Sequence, residues 1–113
     1  MKIINRTNNA VLAENAVVAD TFFTRAKGLL GRKDFNQGEA LVIRPCNSIH
    51  TFFMRFPIDL LFVTKDNLVI KAISRLKPYR ISGIYFKSAF VIELPPGTLE
   101  ASLVNQGDTL IIN

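Results

Sequence analysis

Most of this chain alternates apolar and polar residues or runs apolar for a few positions, and both patterns are typical of short β-strands. The segments are KIIN, AVLAENAVVA, ALVI, IDLLFV, LVIKAI, SAFVIEL and TLII. Turn-forming residues separate them, and TKDN joins IDLLFV to LVIKAI as a hairpin because Asp-Asn tolerates positive φ angles. The pattern predicts a mainly β fold of about seven short strands that curl into a small closed or nearly closed barrel.

One segment, DTFFTRAKGLLG, changes to helical spacing. Four of its apolar residues would share one helix face: Phe22, Ala26, Leu29 and Leu30. Asp20 can cap the amino end and Gly31 suits the carboxyl end. The later segment TLEASLV can form one or two helical turns. We therefore expect one or two short helices beside the strands.

The size and composition indicate a single domain spanning residues 1–113. Apolar residues make up 49% of the chain, which is sufficient for a core. A single cysteine excludes an intrachain disulfide. The start, MKIINRTNN, has no apolar region typical of a signal peptide, and no apolar run is long enough to span a membrane. We expect a cytoplasmic protein without membrane insertion.

The net charge of +5 is concentrated in the middle of the chain, where residues 44–87 contain eight bases and two acids. This excess could attract a polyanion, or it could consist of strand-edge bases that discourage aggregation. The segment RLKPYR adds one aromatic residue, Tyr79, to its bases. Because no recognition helix is visible and the bases are spread out, we expect no sequence-specific binding of nucleic acid.

The segment PCNSIHTFFMRFPIDLLF contains the only cysteine, Cys46, and the only histidine, His50. In an extended strand, residues four apart are separated by roughly 13 Å, whereas a nucleophile and its base must approach to about 3 Å. A turn at Asn47-Ser48 or a helical turn would be needed to join them. A structural zinc site needs four ligands, so we expect no metal and no cofactor. After Pro57 the chain should enter a core strand, with the preceding polar residues at the rim of a pocket.

Two acids interrupt apolar strand faces. Alternation places Asp59 on the face of Leu61 and Val63, and Glu93 on the face of Val91. A buried charge without a partner is costly, so each acid requires a base, backbone donors or water. Arg25, at the edge of the first helix, is a candidate base. The acids could fix strand ends to a helix or loop, or they could converge with guanidinium groups in a ligand pocket.

Five motifs follow one another along the chain: RAKGLLGR, TFFMRFPIDLLFV, LKPYR, VIELPPG and QGD. In this order and spacing, over roughly residues 10–112, they resemble the DUF192 (UPF0127) family of small bacterial and archaeal proteins. The resemblance implies a compact, mostly β, barrel-like fold and no established activity. Many members begin with a signal segment and often carry tryptophan in the FFM segment. This chain departs from both features, and Phe53 takes the tryptophan position.

The leading functional hypothesis is a non-enzymatic binding or accessory module. Its small polar pocket or protein-contact surface would lie at one barrel end and would bind a small polar ligand or a protein partner. The candidate pocket residues are Asn47, His50, Arg55, Asp59, Lys77, Tyr79 and Arg80. One alternative is a small enzyme that uses Asp59 with Glu93, or Cys46 with His50. A third is an RNA-binding barrel that uses the basic middle of the chain.

Overall fold

A computed structural model describes all residues, 1–113. The chain forms nine strands and two short helices. In chain order they are β1 (Ile3–Asn5), β2 (Val11–Ala19), α1 (Phe22–Lys27), β3 (Gly38–Ile43), β4 (Ser48–His50), β5 (Ile58–Val63), β6 (Val69–Leu76), β7 (Ile81–Ile84), β8 (Phe90–Leu94), α2 (Thr98–Ser102) and β9 (Leu110–Ile112). Neither helix is long and apolar enough to cross a membrane.

Seven strands form one sheet in the order β6-β5-β8-β3-β2-β1-β9. Only β2 and β3 pair in parallel, with α1 between them in the chain. The sheet curls so that its two edges meet at one end, where Leu68 pairs with Thr109 and the Val69 N–H donates to the Asp108 carbonyl at 2.9 Å. The expected mainly β, barrel-like fold is confirmed, and its form is a half-barrel that does not close.

The strands β4 and β7 form a separate two-stranded sheet. In β4, Ser48 and His50 pair with Ile84 and Ile81 of β7. The segment from Pro45 onward is bent as expected, since β4 is followed by a turn before β5 enters the core at Ile58. This small sheet lies outside the strands that alternation predicted, because both of its strands are short and irregular in register.

All six residues of β5 are buried, because the large sheet is covered on both faces. Leu61 and Val63 pack in a cluster with Leu99 of α2. Leu60 and Phe62 pack in the other cluster, with residues of β4 and the loop after α1. Each face of the sheet therefore has its own apolar core, and alternation along a strand assigns each side chain to one of them.

The first helix differs from the expectation. Thr21 is its N-cap in place of Asp20, with the Thr21 Oγ1 accepting from the Thr24 N–H at 3.0 Å. The helix ends at Lys27, and Gly28 rather than Gly31 is its C-cap. None of its residues is buried, and the Phe22 side chain is 82% exposed. The predicted apolar face was wrong because six residues are too few to present it, and only Leu29, beyond the helix, reaches the core.

Asp59 is completely buried and faces α2. Its Oδ1 accepts from the Arg75 N–H at 2.8 Å, and its Oδ2 accepts from the N–H groups of Gly97 at 3.1 Å and Leu99 at 2.9 Å. Several backbone donors were one of the expected solutions for this acid, and they are confirmed. The carboxylate joins β5, β6 and the amino end of α2, where unpaired N–H groups favour negative charge.

We predict that Asp59→Ala destabilises the protein by about 2–4 kcal/mol, because three buried N–H groups lose their acceptor together. Asp66→Ala is the matched control, since Asp66 is exposed in a turn and its carboxylate accepts no hydrogen bond. Urea unfolding of the three proteins measures the difference. Equal midpoints for Asp59→Ala and the parent would contradict the role assigned to this carboxylate.

Candidate functional site

A cleft of about 140 Å³ opens between α1 and the small sheet. The helix and the loop after it line one side, and residues between Ile43 and Met54 line the other. Its lining is half apolar, and five of its residues carry reactive or titratable groups: Arg25, Lys27, Cys46, His50 and Glu93. The cleft can hold several water molecules or a ligand group of similar size.

Glu93 lies in β8 and points toward the cleft face of the sheet, as alternation with Val91 predicted. The residue is 4% exposed, and its Oε1 has no hydrogen-bond partner. Burial raises the pKa of this carboxyl to about 8. At neutral pH it is therefore mainly a neutral acid, which can both donate and accept a hydrogen bond. Neither the base nor the backbone donor expected for it bonds Oε1 within the chain.

Arg25 extends from α1 into the same cleft. Its Nη1 donates to the Pro45 carbonyl at 3.2 Å, whereas its buried Nε has no partner. Arg25 forms no ion pair with Glu93. The ion pairs of the molecule are Lys2 with Glu14, Arg32 with Glu39, and Arg75 with Glu100. Two buried polar atoms, Nε of Arg25 and Oε1 of Glu93, thus line one cleft without partners.

Cys46 and His50 also line the cleft, but they are not bonded to each other. The Cys46 thiol donates to the Ser48 carbonyl at 3.2 Å, and burial raises its pKa. The Nδ1 of His50 accepts from the Phe52 N–H at 3.3 Å, and its ring stacks on Phe52 at 5.2 Å between centroids. A protonated thiol is a poor nucleophile, so this arrangement does not activate Cys46.

A second group of expected residues lies on the loops beside the cleft. Buried Thr51 joins these loops, because its Oγ1 donates to the Lys77 carbonyl at 2.6 Å and accepts from the Arg80 N–H at 2.9 Å. The Tyr79 N–H donates to the Thr51 carbonyl at 2.9 Å. Residues more than twenty positions apart in the chain are thereby held in one fixed arrangement.

These loops carry three aromatic side chains in contact, which we call the aromatic platform: Phe52, Phe53 and Tyr79. The Tyr79 ring lies 6.4 Å from Phe52 and 5.6 Å from Phe53 between centroids. Three exposed bases flank the platform in the chain: Arg55, Lys77 and Arg80. None of them forms an ion pair.

The structure therefore divides the pocket expected from the sequence into separate parts. His50 lines the cleft, whereas Lys77, Tyr79 and Arg80 belong to the platform region. Asn47 is half-buried and does not line the cleft, and its carbonyl accepts from the Tyr85 N–H at 2.9 Å. Thr51 was missed, since nothing in the sequence shows which distant loop its hydroxyl reaches.

Asp59 is a correction to the expected pocket, because it lies on the opposite face of the sheet. In the β5–β8 pair, Asp59 is opposite Leu94 and Leu60 is opposite Glu93. Glu93 therefore pairs one position away from Asp59 on the neighbouring strand. Because side chains alternate along a strand, this shift of one residue places the two acids on opposite faces of the sheet. Asp59 and Glu93 therefore do not converge, and a shared carboxylate pair is not formed.

Comparison with known proteins agrees with this fold. The family model DUF192, "Uncharacterized ACR", matches residues 3–112. This chain belongs to the DUF192 family. A UPF0127 protein of Pyrococcus abyssi is 33% identical over 112 residues, covering 94% of this chain and 92% of that protein. A UPF0127 protein of Pyrococcus horikoshii is 31% identical over 113 residues, covering 96% of each.

A solved structure shares the fold at greater distance in sequence. The crystal structure of a protein of unknown function from Novosphingobium aromaticivorans matches with a TM-score of 0.80 and 20% identity. The match covers 98% of this chain and 82% of that one. The fold of this chain is thus similar to that of an experimentally determined structure over almost the whole length of the chain, and the likeness concerns the fold alone.

We predict that the stability of the protein falls as pH rises from about 5 to 8, because folded Glu93 keeps a proton that the unfolded chain loses near 4.5. Below that range Glu93 is protonated in both the folded and the unfolded protein, so its contribution to the pH dependence of stability vanishes. The slope should be roughly 1.4 kcal/mol per pH unit relative to Glu93→Gln, which has no proton to lose. Arg25, Lys27, Cys46 and His50 line the cleft in both proteins, so the comparison isolates Glu93.

Urea unfolding at a series of pH values measures the free energy of unfolding of each protein. Parallel curves for the parent and Glu93→Gln would contradict the prediction. They would mean that the folded protein holds Glu93 as an ionised carboxylate, which would then require Arg25 as its partner.

Proposed function

We propose that this protein is a binding module that holds a small carboxylate ligand in the cleft between α1 and the small sheet. One observation carries the proposal: two buried polar atoms, Nε of Arg25 and Oε1 of Glu93, line this cleft without partners. Leaving a buried polar group unpaired costs about 1–3 kcal/mol, so native proteins rarely do it. A ligand that bonds both groups recovers this free energy.

The chemistry of the two groups selects the ligand class. The Arg25 guanidinium is always charged and donates in the geometry that matches a carboxylate. A neutral Glu93 can donate a hydrogen bond to the same anion, which an ionised glutamate could not do. Apolar side chains complete the lining, among them Leu29, Ile49 and Met54. A carboxylate with a short apolar body fits both the polar and the apolar part of the cleft.

Two features support a binding role over catalysis. The thiol of Cys46 has a raised pKa and no base bonded to it, and Asp59 lies on the other face of the sheet. An enzyme that used Cys46 as a nucleophile or Asp59 as a base would need that group activated in the cleft, and Glu93, which is protonated at neutral pH, is a hydrogen-bond donor rather than a base. Binding needs only that the donors stay in place.

The expected result is that a small carboxylate, tested in a panel of short mono- and dicarboxylic acids, raises the melting temperature and shifts amide signals of cleft residues. Arg25→Gln and Glu93→Leu should each weaken the binding at least tenfold, because the first removes the charged donor and the second removes the carboxyl donor to the anion. Arg6→Gln is the matched control, since Arg6 is exposed and remote from the cleft.

Amide shifts in the NMR spectrum separate binding in the cleft from general salt effects, because only cleft signals should move in the parent protein and in Arg6→Gln. If no acid of the panel moves these signals at millimolar concentration, the proposal fails. It fails equally if Arg25→Gln binds as tightly as the parent.

Cys46 provides a separate prediction. Because burial keeps the thiol protonated, iodoacetamide should modify Cys46 more slowly at pH 7 than it modifies free cysteine, and Cys46→Ser should keep the carboxylate affinity of the parent. Mass spectrometry follows the alkylation. Rapid alkylation, or a covalent adduct formed at Cys46 with an acid of the panel, would favour the enzyme that pairs Cys46 with His50.

A further inference from the structure

The aromatic platform and the strand beside it expose large apolar side chains that a soluble protein usually buries. Phe53 is 73% exposed and Tyr79 is 55% exposed, although their rings touch. In β7, Ile81 pairs with His50 and is 65% exposed, and Ile84 is 58% exposed. Phe86, just after this strand, is 85% exposed. The small sheet and its loops thus carry a concentration of uncovered apolar side chains.

The backbone holds the platform in an unusual conformation. Phe53 has a φ angle of 66° and Tyr79 a φ angle of 63°, a left-handed region that bulky L residues rarely adopt. Buried Thr51 fixes both loops through its hydrogen bonds to Lys77, Tyr79 and Arg80. The two rings are therefore presented to solvent by a rigid frame, and backbone outliers of this kind concentrate at functional positions.

The charged residues near these side chains along the chain have one sign. Residues 44–58 and 67–92 contain no acid, and the exposed bases beside the apolar side chains are Arg55, Lys77, Arg80 and Lys87. None of these bases forms an ion pair within the molecule. The surface combines uncovered aromatic and aliphatic groups with unpaired cations, and a complementary partner must be anionic and must accept apolar side chains.

We propose that this surface docks the protein on a membrane that contains anionic lipids. Aromatic rings are suited to the boundary between headgroups and acyl chains, and Lys and Arg side chains reach lipid phosphates from there. A single-stranded nucleic acid would use the rings for stacking, but Ile81 and Ile84 offer no π face to a base. The aliphatic side chains therefore favour the lipid surface. The protein lies on this surface without crossing it.

Sedimentation with lipid vesicles tests the proposal on the full chain. The protein should bind vesicles of phosphatidylcholine mixed with phosphatidylglycerol and should bind phosphatidylcholine alone far more weakly. Combining Lys77→Gln with Arg80→Gln should weaken binding by roughly 30-fold, since each base contributes through the surface potential. Combining Phe53→Ser with Tyr79→Ser should weaken it at least about tenfold.

Matched controls use equally exposed residues elsewhere. Phe22→Ser with Phe23→Ser removes two exposed rings from α1, and Arg6→Gln with Lys33→Gln removes two exposed bases. Both double variants should bind the mixed vesicles within about twofold of the parent, and melting curves show that every variant is folded. Thr51→Val should also weaken vesicle binding, because it frees the loops from their hydrogen bonds while keeping the shape of the side chain.

Three results would overturn the proposal. The first is absence of binding to the mixed vesicles. The second is a loss of binding in the α1 or Arg6/Lys33 controls as large as in the platform variants. Binding would then depend on the overall charge or hydrophobicity of the protein and not on this surface. The third is binding to a fluorescent single-stranded oligonucleotide that disappears on replacing Phe53 and Tyr79, without vesicle binding, which would assign the surface to nucleic acid.

Discussion

The hydrogen-bonded pair of β5 and β8 is the constraint on which the rest of the structure depends. Both strands are buried on both faces, so every side chain of the pair must pack against residues that cover one face of the sheet or the other. The register places Leu60 opposite Glu93 and Asp59 opposite Leu94, which sends the two acids to opposite faces. α2 then covers one face, while the loop after α1 and the small sheet cover the other.

The two acids meet the same physical difficulty in different ways. Asp59 receives three backbone N–H groups, which replace the water it loses on burial. Glu93 keeps an unpartnered oxygen, and burial holds it in the neutral form. A fold that satisfies one buried carboxylate completely could have satisfied the other. The Glu93 oxygen without a hydrogen-bond partner is therefore the basis of the proposed ligand site, and it adds nothing to stability.

The sequence predicted correctly those features that depend only on the alternation of apolar and polar residues along a strand. Alternation correctly placed Glu93 with Val91, and the segment after Pro45 is bent as expected, but Ser48 of the expected turn begins β4 and the turn before the core strand lies at Phe52-Phe53. It could not place Asp59 relative to His50, because that relation depends on the register between distant strands. It also misjudged α1, since Thr21 and the neighbouring Asp20 are both good caps by residue type and the choice falls to the local bond of Thr21 to Thr24, while the short helix buries no face.

The helices α1 and α2, which lie on opposite sides of the sheet, are held with unequal strength, and this asymmetry suits a binding site. α2 buries three of its five residues, and Asp59 fixes its first turn. α1 buries none, and its side-chain bond to the wall of the cleft runs from Arg25 to the Pro45 carbonyl. Segments with little buried surface open at low free-energy cost, so α1 can move more readily than α2. The weakly held helix lies over the unpartnered acid, whereas the firmly held helix lies over the satisfied one. The cleft lined by Glu93 is therefore bounded on one side by the helix that is easiest to move.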